Sequence, residues 1–422
     1  MLAPAHPHDR DAIDDADDHA APLFAVPLAP SAFRRLPRSL RRTGFGHLLR
    51  LAGQPLRRWR LRLANWNASR AYRRDPSVAL LPEDRGSIVA VGDFGGKTGL
   101  CRAASYEAAK LRLRHPGLIL LSLTPPAAGE RPNNGRDLVL PVARLYLLCQ
   151  PNRYRRALGM FDPAQLASAH RTGLWAWENE RFPGAWRFAL RIVDEVWTPS
   201  AFSRAAIAAA SSLPVDVVPH HVEVDTTIAA LPRAMFDVPE NAFLGIAIMD
   251  IKACPERKNP WAHVEAWQKA FGDSADHVLL IKVRCSKATR IVERELLEMI
   301  GAAGNIRLVR RDFSDAEQVA FQRMADVYLS LHRAEAYGLN IREFLEMGTP
   351  VVATHWSANT EYGPAFAHYH GVRADLVPYR DWMHHYPDAG FRWADADTGH
   401  AARLLRRVAA EKTAQSRLPN GS

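Results

Sequence analysis

The sequence predicts an α/β protein of two doubly wound parallel-sheet domains facing a cleft, with an arginine-rich extension ahead of them. Three observations predict it. Short apolar runs alternate with helical patterns along the body of the chain, as parallel strands covered on both faces do. The alternation forms two series, split near residues 219–231. The length of 422 residues, with 47% hydrophobic and 24% charged side chains, suits two or three domains with a sizeable core. This composition excludes a mainly disordered, collagen-like or disulfide-framework chain. Apolar runs such as FLGIAIM and VLLIKV stop far short of the ~18–20 residues of a membrane span.

In the first series, residues 87–94 read as a strand that ends in Gly95-Gly96, residues 101–113 as a helix and 117–123 as a buried strand. Residues 193–197 are strand-like, a Pro199-Ser200 turn opens a helix, and 215–218 are strand-like again. The second series begins with a strand at 243–249, a helix at 260–271 and a strand at 278–283. Helix 289–302, strand 306–309, helix 315–325, strand 327–331, helix 341–347 and strand 350–354 follow. Residues beyond Lys412 read as frayed.

The net charge of +10 is local. Residues 31–74 hold thirteen arginines and no Asp, Glu or Lys, and without those arginines the chain would carry −3. Leu56, Trp59, Leu63 and Trp66 recur there at helical spacing between arginines. Such a block fits an interfacial helix on anionic lipid, a helix packed on the body with a solvated basic face, or, least well, a nucleic-acid contact. The N-terminus is acidic and lacks a signal-peptide layout. Cys101, Cys149, Cys254 and Cys285 are widely spaced, which predicts free thiols in a reducing cytoplasm and no zinc knuckle.

Several segments carry candidate chemistry. GDFGGKTG (residues 92–99) resembles a P-loop, but the first glycine of that motif would fall at Val91. Its glycines still suit either a tight turn or backbone N–H groups offered to an anion or sugar. HHVEVD sets His221, Glu223 and Asp225 in alternation after His220; a connecting loop accounts for it better than a metal site. In HRAEAYGLNIREFLEMGTPVVAT, Glu335 and Glu343 flank a glycine turn at Gly338. Asn340 suits a helix N-cap with Glu343 at the third helical position, a capping-box pattern. That helix start would offer free N–H groups to a diphosphate beside Glu335. Lys252 and Lys258 follow another strand end, where two cations suit a leaving diphosphate. Taken singly, each has a structural explanation: a cap, a loop acid, a solvated lysine.

Together these segments resemble the retaining glycosyltransferases of family 4, or group 1, in the bacterial branch with W-x-W-E and R-K-N-P signatures. The matching text is GLWAWENERFP, VDEVWTPSAFSR, ERKNPWAHVEAWQKAF, HRAEAYGLNIREFLEMGTPVVAT and WSANTEY, in family order over residues 87–408. The resemblance implies the GT-B fold, two Rossmann-like domains with the donor held mainly by the second and the acceptor facing the first. It implies a nucleotide-sugar donor, GDP- or UDP-linked, no cofactor and no obligatory metal. It divides the chain into a basic extension (1–79), an acceptor domain (80–225) and a donor domain (226–422) whose C-terminal helix crosses back to the first domain. By the same resemblance Glu335 meets the donor sugar hydroxyls, Glu343 the ribose, and Lys258 the diphosphate, with Lys252 standing where many relatives have arginine. Gly338, Leu339 and Asn340 form the phosphate-facing loop, and Gly95, Gly96 and Gly99 the glycine loop that closes over the donor. Trp177 and Glu178 fall near the cleft. Ala336 and Ala358 replace usual glycines, which is conservative where the backbone avoids φ > 0. His221 stands at a site usually Gly or Pro.

The activity so implied is hexosyl transfer with retained configuration to a saccharide or lipid-linked hydroxyl, in cell-surface polysaccharide assembly at the inner membrane face. A non-catalytic nucleotide-sugar-binding subunit of a membrane complex is the competing reading.

Overall fold

A computed structural model describes residues 65–417 apart from 97, 125–133, 253, 287–288, 302–303 and 381–389. The first domain holds β1 (Ser87–Gly92), helix α1 (Gly99–Arg114), β2 (Ile119–Ser122), β3 (Val142–Leu148), α2 (Tyr154–Leu158), β4 (His170–Leu174), β5 (Glu195–Thr198), α3 (Ala201–Ala208) and β6 (Val215–Val217). Its strands pair in parallel in the order β2-β1-β3-β4-β5-β6. The second holds β7 (Phe243–Asp250), α4 (Pro255–Lys258), α5 (Pro260–Phe271), β8 (His277–Arg284), α6 (Arg290–Ile300), β9 (Ile306–Val309) and α7 (Asp315–Gln322). It continues through β10 (Val327–Ser330), α8 (Leu339–Glu346), β11 (Val351–Thr354), α9 (Asn359–Tyr362) and β12 (Tyr369–Val372) to an antiparallel hairpin of β13 (Ala374–Pro378) and β14 (Arg392–Ala396), then α10 (Thr398–Arg417). The second sheet is also parallel, ordered β12-β11-β10-β7-β8-β9. Two six-stranded doubly wound sheets bear out the fold class.

One strand of the first sheet, β4, carries no clear apolar signature. The sequence HRTGL of β4 places Arg171, 2% exposed, in the sheet interior. It is tolerated because its guanidinium donates to the carbonyls of Tyr72, Ile192 and Leu166. Burial still lowers its pKa to about 10.

The C-terminal helix differs from expectation. Instead of crossing to the first domain, α10 packs on α5, with Ala401, Leu405 and Val408 in the core of the second domain. Arg406 donates to the Lys269 carbonyl at 2.9 Å, and Lys412 pairs with Asp326 at 3.3 Å. The crossing element is the β13–β14 hairpin: Phe391 and Trp393 enter the core of the first domain, with Val377 and Tyr379 packed against it.

The arginine-rich segment lies outside the described residues up to 64. Within the rest, residues 65–71 are helical, Arg70 lies over the Trp66 ring, and Arg74 pairs with Asp194 at 2.9 Å. Among the described residues no helix is long and apolar enough to cross a membrane. All four cysteines are free.

Candidate active site

The site lies where the C-terminal ends of β7, β8 and β10 meet the start of α1, the usual crevice of open parallel sheets. Glu335 follows β10. Its carboxylate accepts from the Lys258 ammonium and lies 3.4 Å from Arg257, at the end of α4. Glu335 is 17% and Lys258 20% exposed at the side chain, so the pair is sheltered but within reach of a ligand. Burial pushes the Glu335 carboxyl up, but Lys258, Arg257 and His332 outweigh it and hold it at about 2. The Glu335 N–H donates to the Ser357 hydroxyl at 2.9 Å.

The backbone departs from ordinary conformation on both sides of this pair. Asn259, next to Lys258, has φ 51°, and Ser357 has φ 68°. Asn tolerates the left-handed region; Ser pays more for it, and such positions gather at functional sites. His263 fixes the distance between the two halves. Its Nε2 accepts the Leu331 N–H at 3.0 Å, so its Nδ1 carries the proton donated to the Asn259 carbonyl at 2.9 Å. Burial lowers its pKa to about 4, which keeps this neutral tautomer.

The loop expected to face the phosphates differs in detail from expectation. The N-cap of α8 is Gly338 at φ 84°, with no side-chain cap, in place of Asn340. Asn340 and Glu343 therefore lie inside the helix, and neither forms a capping box. Gly338 is required here: a Cβ would lie 3.1 Å from both the Ile341 side chain and the Tyr362 hydroxyl. That hydroxyl donates to the Tyr337 and Gly338 carbonyls and leaves the helix N–H groups to a ligand. Ala336 avoids positive φ and Ala358 sits at φ −60°, so neither alanine is strained.

Freed from capping, the side chains of Asn340 and Glu343 receive Arg102, on the first turn of α1 in the other domain. Its guanidinium donates to Glu343 Oε1 and, at 2.9 Å, to Asn340 Oδ1. Gln322 of α7 donates to the second Glu343 oxygen at 2.8 Å. The glycine loop leads into this contact: a Cβ on Gly99 would lie 3.9 Å from the Leu339 side chain. Gly95 and Gly96 precede it, and a Cβ on Gly96 would meet Cys101 Sγ at 2.3 Å.

Glu178 also reaches the site, as Arg257 lies 3.1 Å from its carboxylate and joins it to Glu335. Trp177 does not: its indole donates to the Arg181 carbonyl and packs edge-on against Trp186 in the core of the first domain. Lys252 follows β7 with its N–H on Asp250 at 3.0 Å, and among the described residues its ammonium has no partner. His220 and His221 diverge, one buried beside Glu107 and the other exposed beside Glu223. Among the described residues no three His, Cys, Asp or Glu side chains gather as metal ligands.

Sequence reasoning missed Arg257, Arg102 and His263. Arg257 had a signal, standing beside Lys258 in ERKNP. His263 had a fainter one, a polar residue on the apolar face of α5. Arg102 had none, because its partners lie more than 230 residues away.

The same arrangement of two facing sheets recurs in known structures. A Rickettsia africae glycosyltransferase is 14% identical, with 77% of this chain and 88% of that chain covered, at a TM-score of 0.55. Anabaena HepE, solved with UDP-glucose, is 13% identical, with 78% and 91% covered, at 0.53. OtsA is 11% identical, with 78% and 92% covered, at 0.52. The fold is GT-B. No protein-family model and no curated protein sequence matches the chain.

Proposed function

We propose that the protein is a retaining glycosyltransferase of the family 4 type that moves a sugar from a nucleotide diphosphate to an acceptor hydroxyl. The observation that carries this reading is the convergence of Glu335, Lys258 and Arg257 beside the open end of α8. HepE, of the same fold, was solved with UDP-glucose, which supports a donor of that class here.

The chemistry follows from charge. As the glycosidic bond to the diphosphate breaks, the anomeric carbon becomes cationic and the leaving group gains negative charge. Lys258, Arg257 and Lys252, with the N–H groups at Gly338 to Asn340, stabilise that anion in a sheltered crevice. Without ligand, Lys258 rests on Glu335. With donor bound, the ammonium turns to the phosphates and Glu335 accepts from the sugar hydroxyls. Glu343, buried beside Arg102, accepts from the ribose diol once Arg102 yields one lone-pair direction. The acceptor enters from the first domain on the same face as the departing phosphate, which takes its proton, so configuration is retained without a protein nucleophile. No metal or cofactor is needed for these steps, because the cations are side chains.

The acceptor is a saccharide or lipid-linked hydroxyl used in cell-surface polysaccharide synthesis. The arginine-rich segment, residues 31–74, holds the enzyme to anionic lipid on the cytoplasmic side of the membrane. The test is transfer from labelled UDP- and GDP-sugars to saccharide and lipid-linked acceptors, with the product anomer read by NMR. Transfer with retention supports the reading. Donor binding without turnover on any acceptor would favour the non-catalytic subunit.

A further inference from the structure

One buried cation beside the site forms no ion pair among the described residues. Lys282 lies on β8, where Leu279, Ile281 and Val283 enter one core and Val278 and Leu280 the other. Strand alternation puts Lys282 on the Leu280 face, the one covered by α7 and α8. Its neighbours in register are Ile248 on β7 and Val309 on β9. The residue is 6% exposed, and its ammonium lies 5.1 Å from the centre of the Phe313 ring.

Among the described residues no carboxylate reaches that ammonium within ion-pair distance. The nearby acids, Asp250 and Asp312, are drawn to Arg284, at 3.7 and 3.4 Å. Burial lowers the Lys282 pKa; Asp312 and, less, Asp250 pull it back from a distance, while Arg284 and Arg102 add repulsion, and the net shift is downward. A buried ammonium without a paired carboxylate is costly, and the Phe313 ring offsets only part of that cost. Its three N–H bonds and lack of any acceptor make it selective for what it binds.

Its place along the crevice says what that is. The strand order runs β10, β7, β8, β9. Glu335 follows β10 and Lys258 follows β7, so the diphosphate lies at that end. Glu343, which takes the ribose, and Arg102 beside it lie further along, and Lys282 and Phe313 lie beyond β7, on and after β8 and β9. We propose that Lys282 reads the nucleobase of the donor by donating to a ring carbonyl, so that the site takes uridine or guanosine diphosphate sugars and rejects cytidine and adenosine ones. Uracil O4 and guanine O6 accept a hydrogen bond there. Cytosine and adenine present an amino group at the same edge, which an ammonium repels and leaves both donors unpaired.

The inference rests on the donor reading above, and one titration series separates the two. UDP, GDP, CDP and ADP are titrated calorimetrically into the full chain, into Lys282→Met and into Lys282→Gln, with the unliganded melting temperature as the folding control. Wild type should bind UDP or GDP at least about tenfold more tightly than CDP and ADP, the range of a hydrogen bond to a charged group. Lys282→Met should weaken the preferred nucleotide and leave CDP and ADP no weaker than in wild type, so that the preference disappears. Lys282→Gln, with both a donor and an acceptor, should raise CDP and ADP binding. An equal loss for all four nucleotides, or a wild type without preference, overturns the inference and leaves the donor reading standing. Failure of all four to bind wild type overturns both.

Discussion

Arg102 of the first domain donates at once to Glu343 and Asn340 of the second, across the crevice. The Glu343 side chain is 3% exposed and that of Arg102 is 21%, so each is largely withdrawn from water and compensated by the other. The contact ties the start of α1 to α8. A double-mutant cycle of Arg102→Ala and Glu343→Gln, followed by urea unfolding, should give a coupling of about 1–3 kcal/mol. A coupling near zero would mean that the pair contributes nothing to holding the domains together.

Glu335 supplies a pH signature. Its folded pKa of about 2 lies below the ordinary 4.5, so its ion pairs stabilise the fold fully above 4.5 and lose that effect as pH falls towards 2. The loss should be on the order of 1–3 kcal/mol. Glu335→Gln should flatten the stability profile between pH 5 and 2 relative to wild type; an unchanged slope contradicts the pairing.

His263 acts in a higher window. Buried and neutral, with a pKa of about 4 against the ordinary 6.5, it stabilises the fold above 6.5 and loses that contribution as pH falls to 4. His263→Phe leaves the Leu331 N–H without its acceptor, at a cost of about 1–3 kcal/mol. Urea melts at pH 7.5 and 5 should show a smaller pH effect in the variant than in wild type.

Gly338→Ala tests the start of α8. The left-handed φ and the contacts with Ile341 and Tyr362 predict a loss of about 1–2 kcal/mol. On the proposed function donor affinity should fall as well, because the start of α8 shifts. Thermal melting and nucleotide titration read the two effects separately.

The second domain was legible almost strand by strand, because its runs are apolar and its helices periodic. Residues 243–249, 260–271 and 306–309 needed little or no change. β4 was not, since a buried Arg171 satisfied by three carbonyls reads locally as surface. β3, despite its apolar VARLYLL run, went unassigned, as did the β13–β14 hairpin. Within the site, Glu335 and Lys258 were legible through their spacing and the resemblance of the surrounding text. Asn340 misled, because a good N-cap residue two positions late competes with a glycine whose φ decides the helix start. The partner of Glu343 came from another domain, where no local pattern points.

The account stands on Lys258 and Glu335 sharing one diphosphate. Isothermal titration of UDP and GDP into wild type and Lys258→Ala tests it most directly, with Lys258→Ala shown to be folded by its melting curve. The account predicts saturable binding of at least one nucleotide to wild type and a loss of about tenfold or more in the variant. Equal affinity in the two proteins would place the diphosphate elsewhere and contradict it.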